Sequence, residues 1–255
     1  MTMLHFDDIV FGPIHSRRLG SSLGINLLPH DGKLCNFDCI YCECGWNRDG
    51  RVQNPVLPAA EDVMTALEAR LSQCRDSGTH IDSITFSGNG EPTLNPDFPR
   101  IIDCVIELRD KFYPEAKVSV LSNATMLGRE EVLEALKKTD NPILKIDAPT
   151  DAGVALVNRP CGGYSLADVV GNLRKFKGDF ILQTMFLASP EYDSSDRECI
   201  DGWMDIVRDL SPREVMVYTL DRETPMKGLR KFTADRMTEL VKPLVDEGFC
   251  VQVRG

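Results

Sequence analysis

No run in the 255-residue sequence approaches the roughly 18 consecutive apolar residues needed to cross a bilayer, so no membrane-spanning helix is expected. Basic residues are outnumbered 29 to 39, which gives a formal net charge of −10. That balance disfavours non-specific nucleic-acid binding, which draws on a positive field, while leaving room for a local basic groove. Histidine is scarce, and His5, His15, His30 and His80 show no paired metal-ligand spacing. There is no Gly-Lys-Ser phosphate loop and no nucleophile elbow, so P-loop phosphoryl transfer and serine-hydrolase chemistry are not expected. The first twenty residues contain Asp7 and Asp8 but no apolar core of the signal-peptide kind, so a cytoplasmic protein is expected.

What is present is a rhythm of short apolar run, turn and amphipathic run. Strands are expected at 22–28, 81–87, 117–121, 143–146, 179–187, 214–220 and 250–253. Helices are expected at 61–75, 97–112, 129–138, 165–176, 195–210 and 233–247. Such alternation implies right-handed βαβ units around a parallel sheet, hence the α/β class and a partial (β/α)6 TIM-like barrel. In such folds chemistry gathers at the C-terminal ends of the strands. That rule selects 29–44, 87–92, 122–123, Asp147, 185–187 and 218–222.

Cysteine is the informative residue. There are nine, and four of them, Cys35, Cys39, Cys42 and Cys44, lie within ten positions. Cys74, Cys104, Cys161, Cys199 and Cys250 are isolated and read as small buried hydrophobes. In a reduced compartment such a cluster points to metal binding or catalysis rather than disulfides. Soft thiolates select iron–sulfur clusters or zinc. Three thiolates on a [4Fe–4S] cluster leave one iron open to an outside molecule. Zinc held by all four cysteines is the competing reading, although the gap from Cys42 to Cys44 is tighter than zinc spacing usually is.

The run Cys35-Asn-Phe-Asp-Cys39-Ile-Tyr-Cys42 resembles the hallmark of the radical S-adenosylmethionine (SAM) superfamily, with Tyr41 as the aromatic residue before the last cysteine. After the second expected strand, Ser87-Gly-Asn-Gly90-Glu91-Pro92 resembles that family's glycine–glycine–glutamate–proline segment, with Asn89 in place of the first glycine. The resemblance implies a single radical SAM domain over 1–255, with a short N-terminal extension at 1–20 and no separate auxiliary domain. It implies cluster ligation by Cys35, Cys39 and Cys42. It also implies SAM contacts from Tyr41, Asn89, Gly90, Glu91 and Pro92, and from Ser122 and Asn123 at the end of the third strand. Gln183 would read adenine or substrate. The implied chemistry is reductive cleavage of SAM at a [4Fe–4S] cluster, giving a 5′-deoxyadenosyl radical that abstracts hydrogen from a substrate. A single-electron donor such as flavodoxin or ferredoxin is implied as partner.

Lys145 and Asp147 stand two apart and so share one strand face. Facing inward, they would leave Leu144 and Ile146 to the helices and make the pair a candidate substrate contact. Arg17, Arg18, Arg159 and Arg222 suit bidentate recognition of an anion or a solvated surface equally. Arg222, after the sixth strand, and Tyr218 are the preferred substrate candidates. The blocks His15-Ser-Arg-Arg-Leu-Gly20, Cys42-Glu-Cys-Gly45, Asn158-Arg-Pro160 and Tyr218-Thr-Leu-Asp221-Arg222 resemble short Fe–S oxidoreductases grouped with the tRNA wyosine-synthesis enzymes. No cysteine precedes Cys35, so the upstream second cluster of the wyosine-synthesis enzyme is not expected. Alternatives are an activase that installs a glycyl radical on a partner protein, a tRNA-base-modifying enzyme, and a non-catalytic zinc-binding module. The module does not explain the segment at 90–92.

Overall fold

The computed structural model describes residues 6–16, 18–50 and 55–255. Arg17 and the first five residues of the expected N-terminal extension lie outside the described residues. The strands are β1 (Val10–Ser16), β2 (Gly20–Ile25), β3 (Ser83–Phe86), β4 (Lys117–Ser122), β5 (Asn141–Lys145), β6 (Ile181–Met185), β7 (Leu187–Ala188), β8 (Glu214–Tyr218), β9 (Arg230–Lys231) and β10 (Val251–Arg254). Among the described residues they form an eight-stranded sheet ordered β1-β2-β3-β4-β5-β6-β8-β10, with β7 and β9 paired separately. Every neighbour pair from β2 to β10 is parallel, and β1 runs antiparallel to β2. This mostly parallel, curled sheet is the expected partial barrel.

Helices connect the parallel strands: α1 (Asn47–Gly50) and α2 (Ala60–Asp76) after β2, α3 (Phe98–Phe112) after β3, and α4 (Glu130–Lys137) after β4. After β5 come α5 (Asp151–Val157) and α6 (Leu166–Leu173), then α7 (Arg197–Leu210) before β8 and α8 (Ala234–Asp246) before β10. Side-chain hydroxyls of Thr150, Ser165 and Thr233 cap α5, α6 and α8 by accepting backbone N–H bonds, as short polar residues do at helix starts.

Alternation along each strand divides the sheet into two faces. Ile84, Phe86, Val118, Val120, Leu144, Leu182, Val215 and Val217 are buried in the main core with helical residues such as Leu67, Ile102, Leu133 and Val207. Each such side chain contributes roughly 1.5–3 kcal/mol by leaving water. The inner face is different. Ser22, Thr85, Ser83 and Ser119 join hydroxyl to hydroxyl at 2.8–2.9 Å, and Asn141 Nδ2 donates to Ser119 Oγ at 3.1 Å. Beside them Ile143, Ile181 and Met216 make a separate apolar cluster.

β1 and α5 are among the elements not expected from the sequence. β1 lies inside the span expected to be a mere extension, and Gly12-Pro13 sits where its register with β2 shifts between Phe11 and Ile14. The seven-residue helix α5 falls where no element is expected, because it is too short to show a periodic pattern. It proves central to the site.

Candidate active site: a cysteine loop over a polar cavity

The cysteine loop is held on both sides by backbone. Leu34 bridges Gly90, with Leu34 N–H donating to Asn89 C=O at 2.9 Å and Glu91 N–H to Leu34 C=O at 3.0 Å. On the other side, Asp38 N–H donates to Asn158 C=O, Ile40 N–H to Val157 C=O and Cys161 N–H to Asn36 C=O, at 2.8–3.0 Å. Phe37 buries itself against Ala148 and Val154, and Ile40 and Tyr41 against Val157, Met185 and Leu187. Thus β3, α5 and β6 together shape the loop.

Gly90 has φ +140°, and a Cβ there would stand 1.8 Å from the Leu34 carbonyl oxygen. Only glycine lets the loop zip onto the strand end. Gly90→Ala is expected to destabilise by at least about 2 kcal/mol, from left-handed strain plus the clash. Urea denaturation of the apo-protein checks this, and a loss under about 0.5 kcal/mol would contradict it.

Donors reach two of the sulfurs, while burial pushes the Cys35 and Cys39 thiols up. Phe37 N–H donates to Cys35 Sγ at 3.4 Å and Asn158 Nδ2 to Cys39 Sγ at 3.4 Å. Lys33, its side chain 1% exposed, donates to Gly45 C=O at 2.8 Å and lies 3.6 Å from Asp38. Burial pulls the Lys33 ammonium down, but Cys42, Cys35, Cys39 and Asp38 outweigh it and raise its pKa above the usual value. Without a bound metal, burial pushes the Cys39 thiol up to about 12, while the Cys44 thiol beside Cys42 lowers Cys42 to about 6. Cys44 is buried and its Sγ lies 3.6 Å from Gly88 C=O. Among the described residues no three His, Cys, Asp or Glu side chains gather tightly enough to ligate a single ion. Three cysteine sulfurs on one loop, with N–H donors to two of them and a buried ammonium near all three, fit a multi-iron cluster with one iron left open.

Lys145 and Asp147 face inward, while Leu144 and Ile146 join the main core. Asp147, with a fully buried side chain, accepts from Met185 N–H at 2.8 Å, Asn158 Nδ2 at 2.6 Å and the Tyr41 hydroxyl. Lys145 Nζ donates to the Tyr218 hydroxyl at 2.7 Å and lies 3.4 Å from Asp147. Burial pulls the Lys145 pKa down, but Asp147 and Tyr218 raise it above normal, so the ammonium stays charged. This network links the cluster loop to three strands. Asn158 belongs to a block quoted from sequence without a role, and here it touches Cys39, Tyr41 and Asp147.

The remaining residues take two kinds of place. Glu91 accepts from Thr93, from Ser122 Oγ at 2.9 Å and from Asn123 N–H at 2.7 Å, so it staples β3 to β4 rather than lining a cavity. Its burial raises the carboxyl pKa above normal, against those hydrogen bonds. Asn89 is fully buried and its amide bonds Phe6 and Pro29. Pro92 opens a buried 3-10 turn. Asn123 Nδ2 donates to Asn36 at 2.7 Å and reaches 3.9 Å from Cys35 Sγ. By contrast, Tyr41, Cys42, Gly90, Gln183, Tyr218 and Arg222 all line one cavity of about 300 Å3. Arg222 lies at its rim, half-exposed and paired with Glu43 of the cysteine loop at 2.6 Å. Arg18 and Arg254 also line it. Arg254 escaped the sequence reading, because the last strand was expected to end at 253.

With this geometry in place, known proteins give a consistent picture. The family model described as the radical SAM superfamily matches residues 31–188. A UPF0026 protein of Methanocaldococcus jannaschii is 28% identical over 91% of this chain and 70% of its own. A radical SAM methyltransferase from Sphaerobacter thermophilus superposes with TM-score 0.67 at 13% identity, over 91% of this chain and 65% of that one. Archaeal TYW1, a wyosine-synthesis enzyme, superposes with TM-score 0.52 at 12% identity, over 89% of this chain and 72% of that one. Radical SAM proteins use a [4Fe–4S] cluster with SAM, and on its matched residues and its fold this chain belongs to the radical SAM superfamily.

Proposed function

We propose that this chain is a cytoplasmic radical SAM oxidoreductase whose substrate occupies the cavity between the cysteine loop and the C-terminal ends of β6, β8 and β10. The observation that carries this is the composition of one wall: Tyr41, Cys42, Gly88 and Gly90 stand on the same cavity as Gln183, Tyr218 and Arg222. A molecule bound at the open iron and a second molecule in the cavity would therefore be neighbours. Cys35, Cys39 and Cys42 would hold the cluster, and the backbone around Gly90 would receive the methionine end of SAM. When bound, cluster and SAM supply the one-electron chemistry by which a substrate hydrogen atom is removed.

The chain's own residues do the rest. Tyr41 is held by Asp147 and Asn158 with its ring against the apolar cluster of Met185 and Leu187, which fixes the loop beside the cavity. Leu121, Met185 and Leu220 supply apolar lining that excludes water. Lys145 holds the Tyr218 hydroxyl at the wall. An electron donor of flavodoxin or ferredoxin type completes the reading.

The test is anaerobic reconstitution, then reduction with dithionite in the presence of SAM. The expected result is a brown protein with about four irons per chain that converts SAM to methionine and 5′-deoxyadenosine. A colourless protein that binds zinc and leaves SAM intact would sink the proposal.

A further inference from the structure

Arg18 Nη1, Gln183 Nε2 and Arg254 Nε are all buried, and none has a hydrogen-bond partner. All three residues line the same cavity. A buried donor left unpaired costs about 1–3 kcal/mol, and native proteins keep few of them. Three on one cavity ask for an acceptor-rich occupant, and arginine offers no acceptor of its own.

The sequence and fold explain how they meet. Gln183 sits in the middle of β6 and is 5% exposed. Arg254 ends β10, where it pairs in register with Tyr218. The Arg18 guanidinium lies 4.8 Å from the centroid of that same tyrosine ring, a cation–π distance that holds it in place. The acidic residues on the wall, Glu43 and Asp221, both have partners, Glu43 in Arg222. Glu214 on β8 attracts Arg254 without bonding its Nε, and no carboxylate bonds Arg18 Nη1. Water would satisfy the hydrogen bonds but leave two guanidinium charges around one confined volume. An anion answers both needs. This arginine-bearing wall belongs to a protein whose net charge is −10.

We infer that this wall is a subsite for an anionic group of the substrate, a carboxylate or a phosphate, bound by Arg18 and Arg254 with Gln183 donating a further hydrogen bond. The subsite deepens the function proposed above and rests on its placing of the substrate in this cavity.

The test uses reconstituted holoprotein, saturated with SAM and without reductant, so that the cofactor's own carboxylate site is filled. Inorganic phosphate, acetate and uncharged acetamide are titrated calorimetrically. One anion per chain is expected to bind, and acetamide is expected not to. The preferred anion tells carboxylate from phosphate. Arg254→Gln and Arg18→Gln should each weaken the anion about tenfold, as loss of a charged hydrogen bond does. Arg254→Lys should fall between, because it keeps the charge but loses the planar fork. The inference is overturned if neither anion binds the wild type, if acetamide binds as well as the anions, or if variants with wild-type melting temperature bind unchanged. If the wild type binds an anion through Arg254 yet never cleaves SAM, the subsite stands and the proposed function falls.

Discussion

Cys39→Ala, reconstituted without air, is expected to retain almost none of the about four irons per chain that a cubane cluster brings. SAM cleavage should fall below detection with it. The loss is specific to the sulfur because the loop does not depend on it. Asp38, Ile40 and Cys161 donate backbone N–H bonds to Asn158, Val157 and Asn36, and Phe37 and Ile40 stay buried. Hydrogen exchange at those three amides should therefore remain slow in the variant. Cys35→Ala and Cys42→Ala should behave alike. Cys44→Ala should keep its iron, since the Cys44 sulfur lies toward the Gly88 carbonyl. Equal iron loss from Cys44→Ala and Cys39→Ala would mean a closed four-cysteine site and would contradict the ligand assignment.

The second large effect belongs to Asp147. Asp147→Ala strands the Lys145 ammonium, whose side chain is 14% exposed, and removes an acceptor from Tyr41, Asn158 and Met185. Breaking one side of a buried pair costs about 3–5 kcal/mol. That is a large part of the roughly 5–15 kcal/mol that holds a domain folded. Removing both charges in Lys145→Met/Asp147→Asn should recover more than half of the loss, because no buried charge is then left alone. Chemical denaturation of Lys145→Met, Asp147→Asn and the double variant measures the cycle, with Asp147→Ala beside them. A loss under about 1 kcal/mol for Asp147→Ala would show that water or Tyr218 satisfies Lys145 without the carboxylate.

Much of this was readable beforehand, for stated reasons. Alternation within β5 placed Lys145 and Asp147 on the inner face, and the structure puts Leu144 and Ile146 against the helices. Long helices such as α2 and α3 showed their apolar stripes plainly. Side-chain commitments were not readable. The sequence motif marks Asn89 and Glu91, but nothing in spacing says that both spend their polar atoms on protein partners. Nor does spacing say that the close approach Gly90 permits includes the backbone of Leu34. Lys33 and Asn158 lie outside every regular pattern and gain meaning only when the loop folds over them. Arg254 was within reach. Val251 and Val253 pack against the core, so the same alternation assigns Gln252 and Arg254 to the inner face.

The suspension of the cysteine loop between Gly90 and α5 has a consequence for the life of the protein. The bonds that hang it from Gly90 and α5 run from amide to carbonyl, not through sulfur. A cluster held by Cys35, Cys39 and Cys42 would thus enter a nest whose backbone bonds do not need it, and little ordering entropy would remain to be met when metal enters. Oxygen that stripped such iron would leave that backbone frame in place. Damage of that kind would then be repaired by refilling, which anaerobic re-addition of iron and sulfide to oxygen-bleached protein would check.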